Sequence, residues 1–496
     1  MWAARIFQLF PQLYLVPYLI SRIGNSGYGI YALVWSLLLA VDTLQRSLQA
    51  GVVKYSAAFL AQDKTEEINK TLSSSFVFSC GIAITIGFIL FSLSFLSSNQ
   101  ISNMRIPLII ISFFIVLIVP LTPYIALIQA KQCYYIGAIS DTLFKYIGLI
   151  VVIFVFHFYK SSVNLLIVIM GLMLFLSKAV QVPFAYRIIP GLTNRLALFN
   201  KHNFYLILSY GTGIIFASIC LAANSSGLRW LMNWLSSPIF VTHMVIMLTP
   251  SILLSQIVNP LAVTIMPATS AYEAIDNQNV LKQILVRGVR YIAVLVFISF
   301  IFILFLLSPS IKLWVGDQYT FLIPHMTVIF ASTCFRESTS VAHHMLKGLG
   351  KIDSVVKIYF LTLVVIPLSL ILLIFAFTKN PYIAVTIGLT TGYFSCGILQ
   401  LIICSKLITL DIFSLFKSGY IIPFIFFSIS YSFCKIISNI IEKDGTNDIF
   451  SLLICAMVNI SLFIFLWYQW GSSKEDKSFF IDVVKRCCKI KRFERS

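Results

Sequence analysis

Apolar runs long enough to cross a lipid bilayer recur along the whole chain, and short polar segments separate them. A helix needs roughly 20 mostly apolar residues to span the hydrocarbon layer, and fourteen runs fit this pattern. The first seven cover residues 6–20, 28–50, 76–95, 106–127, 143–158, 163–182 and 204–223. The other seven cover residues 239–263, 291–307, 322–345, 355–377, 382–401, 421–440 and 449–468.

The composition excludes a soluble fold. Of the 496 residues, 59% are hydrophobic and 11% are charged, whereas soluble domains have about 45–50% apolar and about 25% charged residues. Fourteen spans would use about 280 residues, which leaves only short connections between them. The sequence therefore predicts an all-α membrane protein with about 14 transmembrane helices.

The residues that usually carry catalysis or bind metals are scattered. The ten cysteines and six histidines show no metal-ligand spacing, and the one histidine pair, His343 and His344, has no Cys or Asp partner at ligand distance. No carboxylate pair, nucleophile with its base, or phosphate-binding glycine loop stands out. We expect neither a metal site nor a cofactor, and we expect that the protein is not an enzyme.

The basic residues predict the orientation of the chain. With the N-terminus inside, about 25 Lys and Arg residues fall on the cytoplasmic side and about 8 on the other, as the positive-inside rule requires. An even number of spans puts both termini in the cytoplasm. The net charge of +18 follows from this topology and from anionic lipid headgroups, so no nucleic acid partner is implied. Residues 471–496 form a basic tail, for which an interfacial helix and a disordered segment are both open.

A faint internal repeat predicts two related lobes. The segment Ala61-Gln62-Asp63-Lys64 after the second span resembles Ala274-Ile275-Asp276-Asn277 after the eighth. Gln129-Ala130-Lys131 after the fourth span likewise matches Leu349-Gly350-Lys351 after the tenth, at an offset of about 213 to 220 positions. We expect an N-terminal lobe over 1–195 and a C-terminal lobe over 196–405, with two added helices in 406–470.

Three short motifs resemble a known family. Residues 17–31 read Pro-Tyr-Leu-Ile-Ser-Arg-Ile-Gly-Asn-Ser-Gly-Tyr-Gly-Ile-Tyr, residues 313–319 read Leu-Trp-Val-Gly-Asp-Gln-Tyr, and residues 347–351 read Lys-Gly-Leu-Gly-Lys. Together with the number of spans, they resemble the polysaccharide-export flippases, including O-antigen translocases. These belong to the superfamily that also contains the multidrug-extruding MATE transporters.

This resemblance implies a flippase in a bacterial inner membrane. Its substrate would be an oligosaccharide linked to undecaprenyl pyrophosphate, an O-antigen or capsule repeat unit, and it would move by alternating access between the lobes. A polysaccharide polymerase and the chain-length machinery are the partners that the resemblance suggests besides membrane lipids. Coupling to a H⁺ or Na⁺ gradient is left open.

Ionisable side chains inside a bilayer cost a few kcal/mol each, so they indicate pairing, a wet cavity or a function. Asp42 and Arg46 are four residues apart on one helical face, where they either only neutralise each other or line a cavity. Arg336 and Glu337 are adjacent and point about 100° apart, so we expect them to snorkel towards the cytoplasmic end of their span. The candidate substrate-binding residues are Arg22, Asp42, Arg46, Lys54, Arg336 and Glu337.

Two other functions compete with the flippase. A MATE-like drug or cation antiporter would need an acidic cleft, but Asp42 and Glu337 are the acidic residues found in the spans. A membrane polysaccharide polymerase or ligase would be expected to carry a long outward loop with clustered charges. The longest outward segment, residues 224–238, holds a single charge, Arg229.

Overall fold

The computed structural model describes residues 2–95, 104–443 and 449–471, and within these ranges the regular secondary structure is helical. The predicted basic tail therefore lies outside the described residues, except for its first position. The helices are α1 Trp2–Ala61, α2 Thr65–Leu93, α3 Arg105–Ile118, α4 Thr122–Ala130, α5 Tyr134–Phe158, α6 Val163–Ile188, α7 Lys201–Ala222, α8 Leu228–Leu235, α9 Pro238–Val263 and α10 Ile265–Ala274.

The second half of the chain continues in the same way. Its helices are α11 Gln278–Trp314, α12 Ile323–Ser338, α13 Ser340–Gly348, α14 Ile352–Tyr359, α15 Ile366–Thr378, α16 Pro381–Leu407, α17 Ile412–Phe416, α18 Ile422–Lys443 and α19 Ile449–Leu466. Short π-helical segments join α7 to α8, α14 to α15 and α17 to α18, so the chain continues helically through each of these junctions.

Twelve helical segments of the described chain are long and apolar enough to cross a membrane. The first of them, within α1, contains both the first and the second predicted span. The predicted span 322–345 is not among the twelve, because the chain there forms two shorter helices, α12 and α13, with Thr339 between them. With these two differences, each of the fourteen predicted spans corresponds to helix in the structure, which confirms the predicted fold class.

The glycines between the first two spans have different roles. Gly24 has φ 70° and ψ 171° and is the point where the two parts of α1 meet. This left-handed φ is unfavourable for other residues. Gly27 and Gly29, three and five residues further on, lie inside the helix. Gly29 serves packing, because a Cβ atom there would overlap the backbone carbonyl of Pro238.

The outward segment predicted at 224–238 is helical over residues 224–235. Residues Ala223–Gly227 form a π-helical turn that continues α7 into α8. The amide of Asn224 donates to the carbonyl of Leu363 at 2.9 Å, and the hydroxyl of Ser226 donates to the carbonyl of Ser36 at 2.8 Å. The small polar residues that suggested a loop thus pair with neighbouring helices, as buried polar groups must.

Two compact units make up the chain. Unit 1 contains Met1–Thr249 and Lys351–Gly392, and unit 2 contains Pro250–Gly350 and Tyr393–Ser496. In unit 1, Ile68, Leu127 and Ile189 belong to a buried cluster that joins α2, α4 and the end of α6. In unit 2, Ile301, Phe427 and Phe463 join α11, α18 and α19.

These units do not follow the predicted lobes 1–195 and 196–405. The predicted lobes describe an internal repeat, which a grouping by spatial contacts does not test, so they stay a prediction. The junctions that suggested the repeat do share a turn. Asp63 and Asp276 both have a left-handed backbone, with φ 54° and 49°. The amide of Lys64 donates to the carbonyl of Phe59, and the amide of Asn277 donates to that of Tyr272. The two sequence segments therefore form the same local structure, each in its own unit.

The packing of Gly29 can be tested by adding one methyl group. We expect Gly29→Ala to lower the melting temperature of the detergent-solubilised protein, because α1 must move away from Pro238, at a cost of about 1–3 kcal/mol. Gly81→Ala is the matched control, since a Cβ there meets nothing within 4 Å. An unchanged melting temperature in Gly29→Ala would contradict the packing described for α1 and α9.

Candidate functional site

The six predicted site residues fall into both units. Arg22, Asp42, Arg46 and Lys54 belong to α1 in unit 1, whereas Arg336 and Glu337 belong to α12 in unit 2. Arg22 is exposed, and its guanidinium carbon lies 5.6 Å from the ring centroid of Tyr18. Lys54 is also exposed and lies over the ring of Tyr55 at 5.4 Å. Lys54 follows Arg46 by eight residues, about 12 Å along the helix axis, so the structure does not gather these four residues into one site.

Asp42 and Arg46 form the ion pair that their spacing predicts. The Nη2 and Nε atoms of Arg46 both donate to Oδ2 of Asp42, at 2.8 and 3.0 Å. The Arg46 side chain is 74% exposed and that of Asp42 is 29% exposed. Arg46 is therefore held by Asp42 while much of its side chain remains exposed.

Three further charged residues surround this pair. Asp141 and Lys145 lie on α5, and Lys178 lies on α6. Lys178 is close enough to Asp42, and Asp141 close enough to Arg46, for an electrostatic interaction. Lys145 interacts in the same way with Asp141 and with the two basic residues. We call Asp42, Arg46, Asp141, Lys145 and Lys178 the basic cluster, since it has three positive and two negative charges.

Uncharged polar groups hold the α5 side of the basic cluster in place. The amide oxygen of Gln8 accepts from Lys145 Nζ at 3.0 Å, and the amide nitrogen of Gln8 donates to the hydroxyl of Thr142 at 2.9 Å. The hydroxyl of Ser177 on α6 donates to Asp141 at 2.5 Å. These bonds link the first part of α1 to α5, and α5 to α6, so the charged side chains are fixed in position rather than free to move apart.

The sequence-based prediction missed three of the five residues of this cluster. Asp141 lies just before the predicted span 143–158, and Lys145 and Lys178 were counted among the cytoplasmic positive charges. In the structure α5 begins already at Tyr134, so Asp141 is well inside a membrane helix. The spacing of Asp141 and Lys145, four residues apart like Asp42 and Arg46, was the signal available in the sequence.

Unit 2 contains a more buried charged pair. Nη2 of Arg336 lies 2.8 Å from Oε1 of Glu337, and their side chains are 24% and 9% exposed. The same carboxylate oxygen accepts from the hydroxyl of Ser255 at 2.6 Å. The guanidinium carbon of Arg336 lies 4.3 Å from the ring centroid of Tyr393, a distance that favours a cation–π interaction.

The expected snorkelling of Arg336 and Glu337 is therefore wrong. Adjacent helical residues diverge by about 100°, but the long Arg336 side chain turns back to reach the carboxylate of its neighbour. The helix also ends at Ser338, immediately after the pair. Ser255 bonds to Glu337 and Tyr393 lies against Arg336, both within unit 2. The two charges are therefore compensated within the protein.

A polar network extends from this pair along α13. The hydroxyl of Thr339 donates to the amide oxygen of Gln400 at 3.2 Å, and the Gln400 amide nitrogen lies 3.4 Å from Nδ1 of His343. The ring of His344 packs edge-on against that of His343. Among the described residues no group of three or more His, Cys, Asp and Glu side chains is placed to hold a metal ion.

The two sites differ in what they can do. The basic cluster offers accessible guanidinium and ammonium groups with a net positive charge, which suits binding of an anion such as a phosphate. The Arg336–Glu337 pair is closed by its own partners and suits a structural role in unit 2.

Solved structures of transporters share this fold. An inward-facing structure of a multidrug resistance MATE family transporter of the MOP superfamily matches with a TM-score of 0.64 and 15% identity, covering 83% of this chain and 99% of that one. An outward-facing structure of such a transporter gives 0.57 and 13%, covering 84% and 95%. A mutant MATE transporter of Vibrio cholerae gives 0.60 and 12%, covering 82% and 95%. At these identities the likeness is one of fold, and the fold is that of MATE transporters.

Comparisons at the level of sequence add no narrower assignment. No protein-family model matches the chain, and no curated protein matches it. The resemblance of its short motifs to polysaccharide-export flippases therefore stays a prediction.

A double-mutant cycle tests the structural role of the Arg336–Glu337 pair. We expect Glu337→Leu to destabilise the protein by up to about 3–5 kcal/mol, because it leaves the Arg336 charge without its carboxylate. The double variant Arg336→Met with Glu337→Leu should recover much of this loss, since no uncompensated charge remains. Melting temperatures of the purified variants in one detergent give the comparison. A double variant that is less stable than both single variants would contradict this role.

Proposed function

We propose that the protein is a membrane carrier that moves an oligosaccharide linked to a polyprenyl pyrophosphate across a bacterial inner membrane. The carrier works by alternating access, with both termini in the cytoplasm. The basic cluster receives the pyrophosphate, and the sugar passes through the protein while the distal part of the polyprenyl chain stays in lipid. A polysaccharide polymerase and the chain-length machinery are its proposed partners, and it carries out no covalent chemistry.

The fold supports a carrier. The solved structures that match over more than four-fifths of this chain include inward-facing and outward-facing transporters. A carrier that opens alternately to either side solves the physical problem of this substrate, whose phosphate charges and hydroxyl groups cannot enter hydrocarbon without losing their hydration.

The observation that carries the proposal is the excess of positive charge in the basic cluster. Arg46, Lys145 and Lys178 outnumber Asp42 and Asp141. A charged side chain in the hydrocarbon layer costs about 2.5–3.5 kcal/mol on insertion scales. Five charged residues with a net positive charge therefore indicate a functional role. A pyrophosphate would restore the balance and would form charge-assisted hydrogen bonds with the accessible Arg46 guanidinium group.

The second candidate is a MATE-like drug or cation antiporter, and the fold supports it equally. The carboxylates already have basic partners, and this favours the lipid-linked oligosaccharide carrier over the antiporter. Asp42 bonds to Arg46, Glu337 bonds to Arg336, and Asp141 lies close to Lys145 and Arg46. In an antiporter, the carboxylate must release its partner in order to bind a cationic drug or a proton. A basic side chain held next to the carboxylate competes with the incoming cation.

A translocation assay tests the role of Arg46. Proteoliposomes are loaded with undecaprenyl pyrophosphate that carries one fluorescent N-acetylglucosamine, and external dithionite quenches the sugars that reach the outer leaflet. We expect wild-type protein to raise the quenched fraction, and Arg46→Ala to slow this by roughly tenfold or more, the loss expected for a hydrogen bond to a charged group. Arg46→Glu should abolish it, and Arg46→Lys should retain part of it.

Lys160→Ala is the matched control, because Lys160 is exposed in the segment between α5 and α6 and its removal changes the charge by the same amount. Equal protein content and melting temperature in all vesicles exclude a folding defect. Wild-type translocation in Arg46→Glu would remove the basic cluster from the mechanism. Proton-driven ethidium uptake by the same vesicles, without any movement of the labelled sugar lipid, would establish the antiporter instead.

A further inference from the structure

An apolar groove runs between α1, α2 and α7 in unit 1. Its volume is about 640 Å³, within the range of about 300–1,000 Å³ found for ligand pockets. On α2 it is lined by residues between Val77 and Ile86, and on α7 by Phe204, Ile215 and Ile219. Val41 and Leu44 of α1 contribute apolar side chains. An apolar lining of this kind suits a hydrocarbon chain.

One side chain in this groove does not fit an apolar wall. Gln45 is 3% exposed and lines the groove. Neither its amide nitrogen nor its amide oxygen has a hydrogen-bond partner within the described part of the chain. Buried amides are nearly always paired, because an unpaired one loses the hydrogen bonds that it makes in water. A ligand that brings a polar group to the end of an apolar chain would supply the missing bonds.

The position of Gln45 on α1 suggests that the polar group of the ligand is an anion. Val41, Leu44 and Gln45 lie on one face of α1, and Asp42 and Arg46 each follow one of these groove residues by one position. The ion pair therefore lies on the adjacent face of the same helix turn. A phosphate that accepts a hydrogen bond from the Gln45 amide would lie within one helix turn of Arg46, whose positive charge attracts it.

We infer that this groove, which is lined by the unpaired Gln45 amide, binds the part of a polyprenyl chain that is nearest to its phosphate. The inference rests on the proposed function. It states that unit 1 binds a second part of the substrate in addition to the pyrophosphate. The bilayer supplies the ligand laterally, because α2 belongs to a membrane-spanning segment and the groove is lined by its apolar middle part.

Photolabelling of the full-length protein in detergent tests the site. The probe is undecaprenyl phosphate with a diazirine in its first isoprene unit, and mass spectrometry maps the labelled residues. We expect labelling of α1 near Gln45 and of residues 77–86 on α2, with competition by unlabelled undecaprenyl phosphate. Stronger labelling or equal competition by a diazirine-bearing phosphatidylglycerol would assign the groove to bulk phospholipid and overturn the inference, as would labelling by a drug-like amphiphile alone.

Two substitutions make the test specific. A side chain at Gly81 points into open space in the groove wall, so Gly81→Phe should fill the groove and abolish labelling there. Ile84→Phe adds bulk on the exposed side of the same helix and should leave labelling unchanged. Gln45→Leu keeps the shape but removes the amide, and it should weaken binding of undecaprenyl phosphate about tenfold. Gln49→Leu, one turn further along α1, is its matched control.

The outcomes separate this inference from the proposed function. Labelling needs no transport, so a labelled groove in a protein that does not translocate the sugar lipid would refute the proposed function and leave the groove as a polyprenyl site. Translocation that persists in Gly81→Phe and Gln45→Leu, together with labelling elsewhere, would refute the groove and leave the proposed function intact.

Discussion

The hydrocarbon layer penalises every uncompensated charge, and this constraint explains how the polar residues of the chain are placed. In unit 2, Arg336 is compensated by Glu337, and Ser255 and Tyr393 complete the set of partners. In unit 1, the nitrogen–oxygen distance of the Arg46–Asp42 pair is also 2.8 Å. Arg46, however, remains mostly exposed, and two lysines add positive charge. The same physical requirement thus yields a closed pair in one unit and an open, positively charged cluster in the other.

This contrast connects the structure to its proposed function. A closed pair can only hold helices together, whereas an open cluster can exchange its surroundings for a ligand of opposite charge. The apolar groove beside the cluster offers a place for a chain, and the unpaired amide of Gln45 lies at the junction of the two. Groove residues and charged residues alternate between Val41 and Arg46, so one short stretch of α1 would contact both the head and the chain of the proposed anionic lipid.

The membrane helices could be predicted from the sequence because hydropathy depends on local composition. Their interruptions could not: α12 and α13 are separated at Thr339, a residue that differs in no obvious way from its neighbours. The pair Asp42–Arg46 was predictable because helical spacing fixes it. The pair Arg336–Glu337 was misjudged because a long side chain can turn towards an adjacent residue. The spacing of Asp141 and Lys145 hinted at a second charged pair, but Asp141, Lys145 and Lys178 approach Arg46 and Asp42 only through the packing of α1 against α5 and α6, which no local pattern contains.

The central claim is that the basic cluster is accessible to water and attracts anions. Cysteine accessibility at Thr142, a neighbour of Asp141 that carries no charge, tests it most directly. The ten native cysteines are replaced, Thr142→Cys is introduced, and membrane-impermeant thiol reagents of opposite charge are compared in proteoliposomes. We expect the anionic sulfonate reagent to react faster than the cationic ammonium reagent, and a sugar-bearing polyprenyl pyrophosphate to protect the cysteine. No reaction with either reagent, or faster reaction with the cationic one, would contradict an accessible, anion-attracting cluster.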